Sequence, residues 1–122
     1  MTRINRKPLG VTARARRAKA AKDRRYAAKI REQVDARDGY CKLMHLAYAL
    51  GLCAGPSEWA HWAEFKRFKT RGLPPEERHT TAGSFKACSR HHGMYDAREF
   101  EIAATDISRG MDSAIVVTKV RV

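Results

Sequence analysis

The sequence predicts a small α+β domain with a basic N-terminal helix, a central segment of strands and helix, and a C-terminal pair of strands. Three observations predict this class. Lysine and arginine are concentrated in residues 1–31, cysteine and histidine lie between residues 41 and 92, and β-branched residues dominate residues 113–122. Stretches typical of helices and of strands therefore occupy separate parts of one chain.

The length and charge of the chain restrict its class. It has 122 residues and a formal net charge of +12, which suits one domain and excludes a large multi-domain enzyme. No apolar run approaches the roughly 18 residues of a membrane span, and the N-terminus lacks the apolar stretch of a secretion signal. We therefore expect a soluble cytoplasmic protein with no membrane partner.

The first predicted element is a basic helix. Residues 1–31 contain twelve lysines and arginines but a single acidic residue, Asp23. Thr12 is a candidate N-cap for an alanine-rich run that reaches about Asp38, where Gly39 ends it. Tyr26, Ile30 and Val34 recur at four-residue spacing, so this half of the helix can pack on a core. We divide the chain into a basic arm, residues 1–33, and a domain, residues 34–122.

The remaining elements are predicted from turn residues and strand patterns. In chain order they are a compact segment over 40–55, a strand edge over 56–62, a long loop over 66–84, a helix from His91 to about Phe100, and strands over 99–103 and 113–122 that are joined through Gly110.

The basic excess indicates a polyanionic partner, and DNA is the main candidate, because cations that neutralise phosphates gain affinity through counterion release. We expect affinity and not base recognition from these side chains. A solvated basic surface is the alternative. The candidate phosphate contacts are Arg14, Arg16 and Arg17 in the helix and Lys66, Arg67, Lys69 and Arg71 in the loop.

The first candidate site is a structural zinc site made of Cys41, Cys53, Cys88 and His91. Zinc accepts three thiolates and one imidazole in tetrahedral geometry. Two residues separate Cys88 from His91, a spacing with which one tight turn supplies two ligands. Eleven residues separate Cys41 from Cys53, and His45 between them is a rival ligand. Three buried free cysteines are the alternative reading.

The second candidate site is catalytic. His92 and Asp96 are four residues apart, so on a helix they lie on one face and could hold a divalent ion. His61 would then be available as a general base, because a neutral imidazole accepts a proton near physiological pH. A hydrogen-bonded structural histidine and a surface His/Asp pair are the alternatives.

The order of these residues resembles the HNH endonuclease family. The resemblance covers about residues 34–100 and depends on four segments in sequence, namely Arg37–Cys41, Cys53–Pro56, Glu58–His61 and Ala87–His92. It is greatest to small phage-type members. It implies a ββα-metal fold with a catalytic Mg²⁺ or Mn²⁺, to which many members add a zinc held by two knuckles.

The resemblance also implies residue roles. His61 matches the general base of the family, His92 matches a catalytic metal ligand, and Asp96 falls where related nucleases have a further ligand. His91 stands where many relatives have a fourth zinc-binding cysteine, after Cys41, Cys53 and Cys88.

Two positions depart from the family pattern. Ala60 stands where many relatives have a metal-binding Asp or His, and Gly83 stands near the position of the middle Asn that orients the base. His79, Thr80 or Ser84 could replace that Asn.

We therefore expect a zinc-supported HNH-type nuclease that nicks DNA. The alternatives are a zinc-supported module that binds nucleic acid without cutting it and a phage accessory protein that uses the fold as a scaffold.

Overall fold

The computed structural model describes residues 9–63 and 74–121. Its helices are α1 (Leu9–Asp38), α2 (Ala47–Leu50), α3 (Pro75–Arg78) and α4 (Ser89–Asp96), with 3₁₀ helices at Lys42–Leu46 and Gly110–Asp112. Its strands are β1 (Ser57–His61), β2 (Ser84–Cys88), β3 (Phe100–Ala104) and β4 (Ile115–Val120). Strand β1 pairs with β2, and β3 pairs with β4, both antiparallel. The fold is α+β, as the sequence predicts.

Helix α1 begins earlier than predicted: the chain is already helical at Leu9, three residues before the candidate N-cap Thr12. Its end is as predicted. Gly39 adopts a left-handed φ of 68°, and its backbone N–H donates to the carbonyl oxygen of Asp35 at 2.8 Å. A glycine accepts this conformation without the steric cost of a Cβ atom. The helix continues through the division at residues 33 and 34.

One stripe of α1 faces the core. Ile30 and Val34 are buried and Tyr26 is half-buried, which confirms the four-residue apolar spacing. The intervening residues are mostly exposed, so the charged part of the helix meets solvent. The C-terminal half of α1 is therefore anchored by packing.

The sheet of β1 and β2 is covered on both faces. Phe85 points to α4, where its ring meets Tyr95 edge-on at a centroid distance of 5.4 Å. Lys86, the next residue, points to α1 and forms an ion pair with Asp35 at 2.9 Å. Successive side chains of a strand point to opposite faces. The sheet is therefore a layer between α1 and α4.

The prediction of a long loop over residues 66–84 is only partly correct. Residues 64–73 lie outside the described part, but the segment that follows contains the helical turn α3 and the start of β2. Pro75 stands first in α3, a position that proline favours because no helical N–H bond is required there. The turn and the sheet are connected by a hydrogen bond from the Ser84 hydroxyl to the Thr80 carbonyl oxygen at 2.6 Å.

Arg37 joins α1 to this sheet. Its guanidinium donates to both carboxylate oxygens of Asp38 at 2.6 and 2.8 Å, and to the carbonyl oxygens of Thr81 and Ser84 at 2.7 and 2.8 Å. It also donates to the carboxylate of Asp112 at 2.7 Å. Every donor direction of the guanidinium is thus used, as planar Arg recognition permits.

Helix α4 spans Ser89–Asp96, so the predicted helix from His91 to about Phe100 starts two residues late and extends too far. The chain leaves the helix at Arg98, which has a left-handed φ of 60°. The N–H groups of Arg98 and Glu99 donate to the carbonyl oxygens of Tyr95 and Met94 at 3.0 and 2.9 Å. These two hydrogen bonds form a Schellman motif, which here ends the helix with an arginine in the position that glycine usually occupies.

The C-terminal strand pair is confirmed, with boundaries at Phe100–Ala104 and Ile115–Val120. Gly110 in the connection has a left-handed φ of 57°, and a Cβ atom there would lie 2.4 Å from the carbonyl oxygen of Ala82. Phe100, Ile102 and Ile115 are buried in the same core as the first sheet. Among the described residues, no helix is both long enough and apolar enough to cross a membrane.

Candidate functional site

The four predicted zinc ligands converge in the folded chain. Cys41, Cys53, Cys88 and His91 each offer one donor atom, and all four donor atoms lie within 4.8 Å of one another. Nδ1 of His91 lies 3.6 Å from Sγ of Cys41 and 3.7 Å from Sγ of Cys53. Zinc ligands at roughly 2.0–2.3 Å from a tetrahedral centre are separated by about 3.5–3.8 Å. The cluster could therefore hold a metal ion such as zinc.

The His91 ring is oriented by a backbone contact. Its Nε2 lies 2.9 Å from the carbonyl oxygen of Gly51, which can only accept a hydrogen bond. Nε2 therefore carries the proton, and Nδ1 presents its lone pair to the sulfurs. A hydrogen bond of this kind from the second ring nitrogen is the usual support of a metal-binding histidine.

Two glycines allow the loop between α2 and β1 to close around the cluster. Gly51 has a φ of 86°, and Gly55 has a φ of 85°. A Cβ atom on Gly55 would lie 1.8 Å from Oγ of Ser89, and one on Gly51 would lie 2.8 Å from the Arg90 guanidinium. Arg90 itself donates to the carbonyl oxygens of Leu50 and Leu52 at 3.0 and 2.7 Å. The loop is thereby held against the start of α4.

The cysteines have different acidities. Partial burial, together with the nearby sulfurs of Cys41 and Cys88, raises the pKa of Cys53 to about 12, and burial raises the pKa of Cys41. Burial opposes ionisation of Cys88 also, but the backbone N–H groups of His91 and Ala54 donate to its sulfur and bring its pKa below the ordinary value. Three thiolates at this spacing repel one another, and a bound cation removes that cost.

Cys88 has a second, local role. It is the N-cap of α4, and its Sγ accepts a hydrogen bond from the backbone N–H of His91 at 3.4 Å. The same sulfur thus caps the helix and belongs to the cluster. His45, the rival ligand, is exposed and lies outside the group of four.

His92 and Asp96 also meet, on the exposed side of α4. Nε2 of His92 lies 3.5 Å from a carboxylate oxygen of Asp96, as one helical turn allows. Nδ1 of the same ring lies 2.7 Å from Oε1 of Glu58. Glu58 was not a sequence candidate. Side chains alternate along β1, so Glu58, two residues before Ala60, lies on the same face of the strand as Ala60. This two-residue spacing is the sequence signal from which Glu58 could have been found.

His61 is the last residue of β1, and its ring lies beside His79 and Trp59. Its Nε2 is 3.4 Å from Nδ1 of His79, and its ring is tilted against that of Trp59 at a centroid distance of 4.7 Å. Burial of the ring, followed by electrostatic interaction with His79, Arg78 and His92, lowers the pKa of His61. Among the described residues, its hydrogen-bonding contact is with His79 and not with the His92 and Asp96 pair.

Of the three residues considered as replacements for the middle Asn, His79 is the one whose side chain is within hydrogen-bonding distance of the His61 ring. Ser84 lies opposite His61 in the register of β1 and β2. Thr80 instead accepts a hydrogen bond from the Gly83 N–H at 3.0 Å through its hydroxyl, and its carbonyl oxygen accepts one from Ser84. The other nitrogen of His79, Nε2, lies 3.1 Å from Oδ1 of Asp23 in α1. In the sequence, Asp23 is distinctive only as the single acid among residues 1–31.

The candidate phosphate contacts divide into two groups. Arg14, Arg16 and Arg17 are exposed on α1, whereas Lys66, Arg67, Lys69 and Arg71 lie outside the described residues.

Comparisons of the chain with protein-family models, with curated proteins and with solved structures each find no match.

Proposed function

We propose that this protein is a metal-dependent endonuclease of the HNH type that nicks DNA, with a zinc ion in the cysteine cluster as a structural support. The observation that carries the proposal is the order of β1, β2 and α4. His61 ends β1, β2 runs back beside it, and His92 and Asp96 lie one turn apart on the helix that follows directly. A phage-encoded, cytoplasmic protein is consistent with this function.

The proposed reaction is hydrolysis of a phosphodiester bond. Neutral His61 accepts a proton from a water molecule whose oxygen bonds to phosphorus, while the bond from phosphorus to the 3′ oxygen breaks. The lowered pKa of His61 favours the neutral ring that this role needs. A Mg²⁺ or Mn²⁺ ion, when bound, would stabilise charge on the phosphate and on the departing oxygen.

In this proposal residues of α4 and β1 would hold such an ion. Glu58 lies beside Nδ1 of His92 and Asp96 beside Nε2, so one carboxylate has to move for both to share an ion with the ring. His92, Asp96 and Glu58 offer one imidazole and two carboxylates, and hard divalent ions prefer oxygen donors. Glu58 supplies the carboxylate that Ala60 cannot. Few protein ligands are needed, because Mg²⁺ keeps several waters or substrate oxygens in its shell.

The exposed basic side chains of α1 supply the affinity for DNA in this proposal. Arg14, Arg16 and Arg17 lie in a stretch of α1, residues 14–20, in which every residue is exposed, so their charges are available to phosphates. Contacts of this kind fix position on the duplex without reading sequence.

The test is a supercoiled-plasmid nicking assay with the zinc-loaded full chain. We expect nicked circles with added Mg²⁺ or Mn²⁺, loss of nicking in EDTA, and loss of at least about 100-fold in rate for His61→Ala, because general base catalysis contributes that much. His92→Ala should lose a comparable amount. His45→Ala is the matched control, because His45 is exposed and outside both sites. Nicking by His61→Ala at the wild-type rate would remove His61 from the mechanism.

The second candidate is a zinc-supported DNA-binding module without nuclease activity. Ala60 favours it, because this position lacks a ligand on the strand. In that case the wild-type chain binds DNA in a salt-dependent manner and leaves the plasmid supercoiled with Mg²⁺ or Mn²⁺ present.

A further inference from the structure

Asp23, His79 and His61 form a continuous hydrogen-bonded row that links helix α1 to the end of β1. Oδ1 of Asp23 lies 3.1 Å from Nε2 of His79, and Nδ1 of His79 lies 3.4 Å from Nε2 of His61. We propose that Asp23 and His79 are positioning residues that fix the orientation and the tautomer of His61. The proposal rests on the proposed function, in which His61 is the general base.

The tautomers follow from the chemistry of each partner. A carboxylate only accepts, so Nε2 of His79 carries a proton, and the Nδ1 of a neutral His79 is then an acceptor. The donor to that nitrogen is Nε2 of His61. The Nδ1 of His61 consequently holds the free lone pair, and it is the atom that can take a proton from water.

Ring packing holds the row in place. Trp59 contacts both imidazoles, with centroid distances of 4.7 Å to His61 and 5.4 Å to His79. The Arg31 guanidinium covers Trp59 at 5.0 Å from the ring centroid, a cation–π contact. The imidazole of His61 is therefore constrained by a hydrogen bond on one nitrogen and by an aromatic ring on its side.

The position of Asp23 gives the row a further meaning. It is the only acidic residue among residues 1–31, and Arg78 of α3 binds it at 2.7 Å. The Arg78 guanidinium, first by hydrogen bonding, lowers the pKa of Asp23, so the carboxylate stays ionised as an acceptor. The helix that carries the basic side chains thus also carries the end of the row that orients the base.

The test uses three variants of the full zinc-loaded chain in the nicking assay. Asp23→Ala removes the acceptor, and His79→Phe keeps the ring but removes both nitrogens. Each should lower kcat by about 100-fold, the cost of small misplacement of a catalytic group, with KM for DNA unchanged. Asp35→Ala is the matched control, because it removes an aspartate ion pair of the same helix without touching the histidines, and it should keep the wild-type kcat.

Nitrogen NMR of the imidazoles gives a readout that does not depend on cleavage. In the wild-type chain we expect His61 to be protonated on Nε2 and bare on Nδ1, and His79→Phe should mix the two tautomers. Wild-type kcat in both Asp23→Ala and His79→Phe, or a wild-type His61 protonated on Nδ1, would overturn the proposal. If the wild-type chain does not nick DNA, the proposed function fails, and the NMR result alone decides whether the row sets the tautomer.

Discussion

Nε2 of His91 donates a hydrogen bond to the carbonyl oxygen of Gly51 at 2.9 Å, and this contact turns Nδ1 of the same ring toward the sulfurs of Cys41 and Cys53. The ligand is thus oriented by the backbone of the loop that also brings in Cys53. The left-handed φ of Gly51 is part of the same arrangement. Loop conformation and ligand geometry are consequently one structural unit.

The cluster predicts a large effect of removing one sulfur. Binding of a structural zinc is worth about 10 kcal/mol or more in small domains, which is comparable to the whole stability of a domain at about 5–15 kcal/mol. We expect Cys88→Ser to lose stoichiometric zinc and the cooperative thermal transition, and EDTA to lower the Tm of the wild-type chain. Zinc analysis and calorimetry measure both effects, with His45→Ala as the unaffected control. A Cys88→Ser chain with the wild-type Tm and one zinc would contradict the structural role.

The Arg37 contacts predict a second loss of stability. Asp38 is almost fully buried, and Arg37→Met would leave its carboxylate without the two charge-assisted bonds that it now accepts. Removing one partner of a buried ion pair costs about 3–5 kcal/mol. Lys42 is 3.6 Å from the same carboxylate and offsets part of the loss, so we expect about 3 kcal/mol by urea unfolding. Arg24→Met, an exposed change on the same helix, should stay close to the wild type.

Arg98 predicts a gain in stability. Its φ of 60° is the left-handed conformation at the end of α4, which costs a residue with a Cβ atom about 1–2 kcal/mol. Arg98→Gly removes this cost but increases the entropy of the unfolded chain, so we expect a net gain of about 0.5–1 kcal/mol in urea. Arg98→Ala is the control, because alanine keeps the Cβ atom and should gain nothing. Equal stabilities of the two variants would show that the backbone is not strained there.

Much of the fold was predictable because its signals are local. The alanine-rich run, the apolar spacing that ends at Val34 and the glycine at position 39 together define α1. The ligand set was predictable because Cys88 and His91 are close in sequence and cysteine is scarce. The strand pair follows from β-branched residues on either side of Gly110.

The missed features depend on tertiary partners. In the sequence, Ser84 and Lys86 make β2 look like a polar stretch. Both are buried in the fold, where Lys86 pairs with Asp35 and the Ser84 hydroxyl donates to the Thr80 carbonyl oxygen. The end of α4 was misplaced because an arginine, and not a glycine, takes the left-handed position. Glu58 gains its meaning only from the pairing with His92 across two elements.

The exposed arginines of α1 predict how DNA binding depends on salt. Each phosphate contact contributes about −0.9 to the slope of log K against log salt concentration. Replacing Arg14, Arg16 and Arg17 by alanine should weaken binding on every sequence and make the slope shallower by about 2–3. Fluorescence anisotropy over a salt series measures this, and Lys119→Ala on β4 is the control. An unchanged slope would mean that these side chains do not contact phosphates.

The lowered pKa of His61 predicts the pH profile of cleavage. A general base acts in its neutral form, so activity falls as the pH drops through the pKa of the folded chain. Burial of the ring, followed by electrostatic interaction with His79, lowers that pKa below the ordinary value of about 6.5. The acid limb of kcat/KM should therefore be centred below pH 6.5. Because the unfolded chain binds this proton more readily, His61 also lowers the free energy of unfolding as the pH falls below about 6.5.

Two aromatic variants test this pH profile. Trp59→Ala exposes the His61 ring and should shift the acid limb toward higher pH. Tyr48→Ala removes an exposed aromatic ring on α2 and should leave the limb in place. A wild-type limb centred at or above pH 6.5 would show that the base is not the desolvated His61.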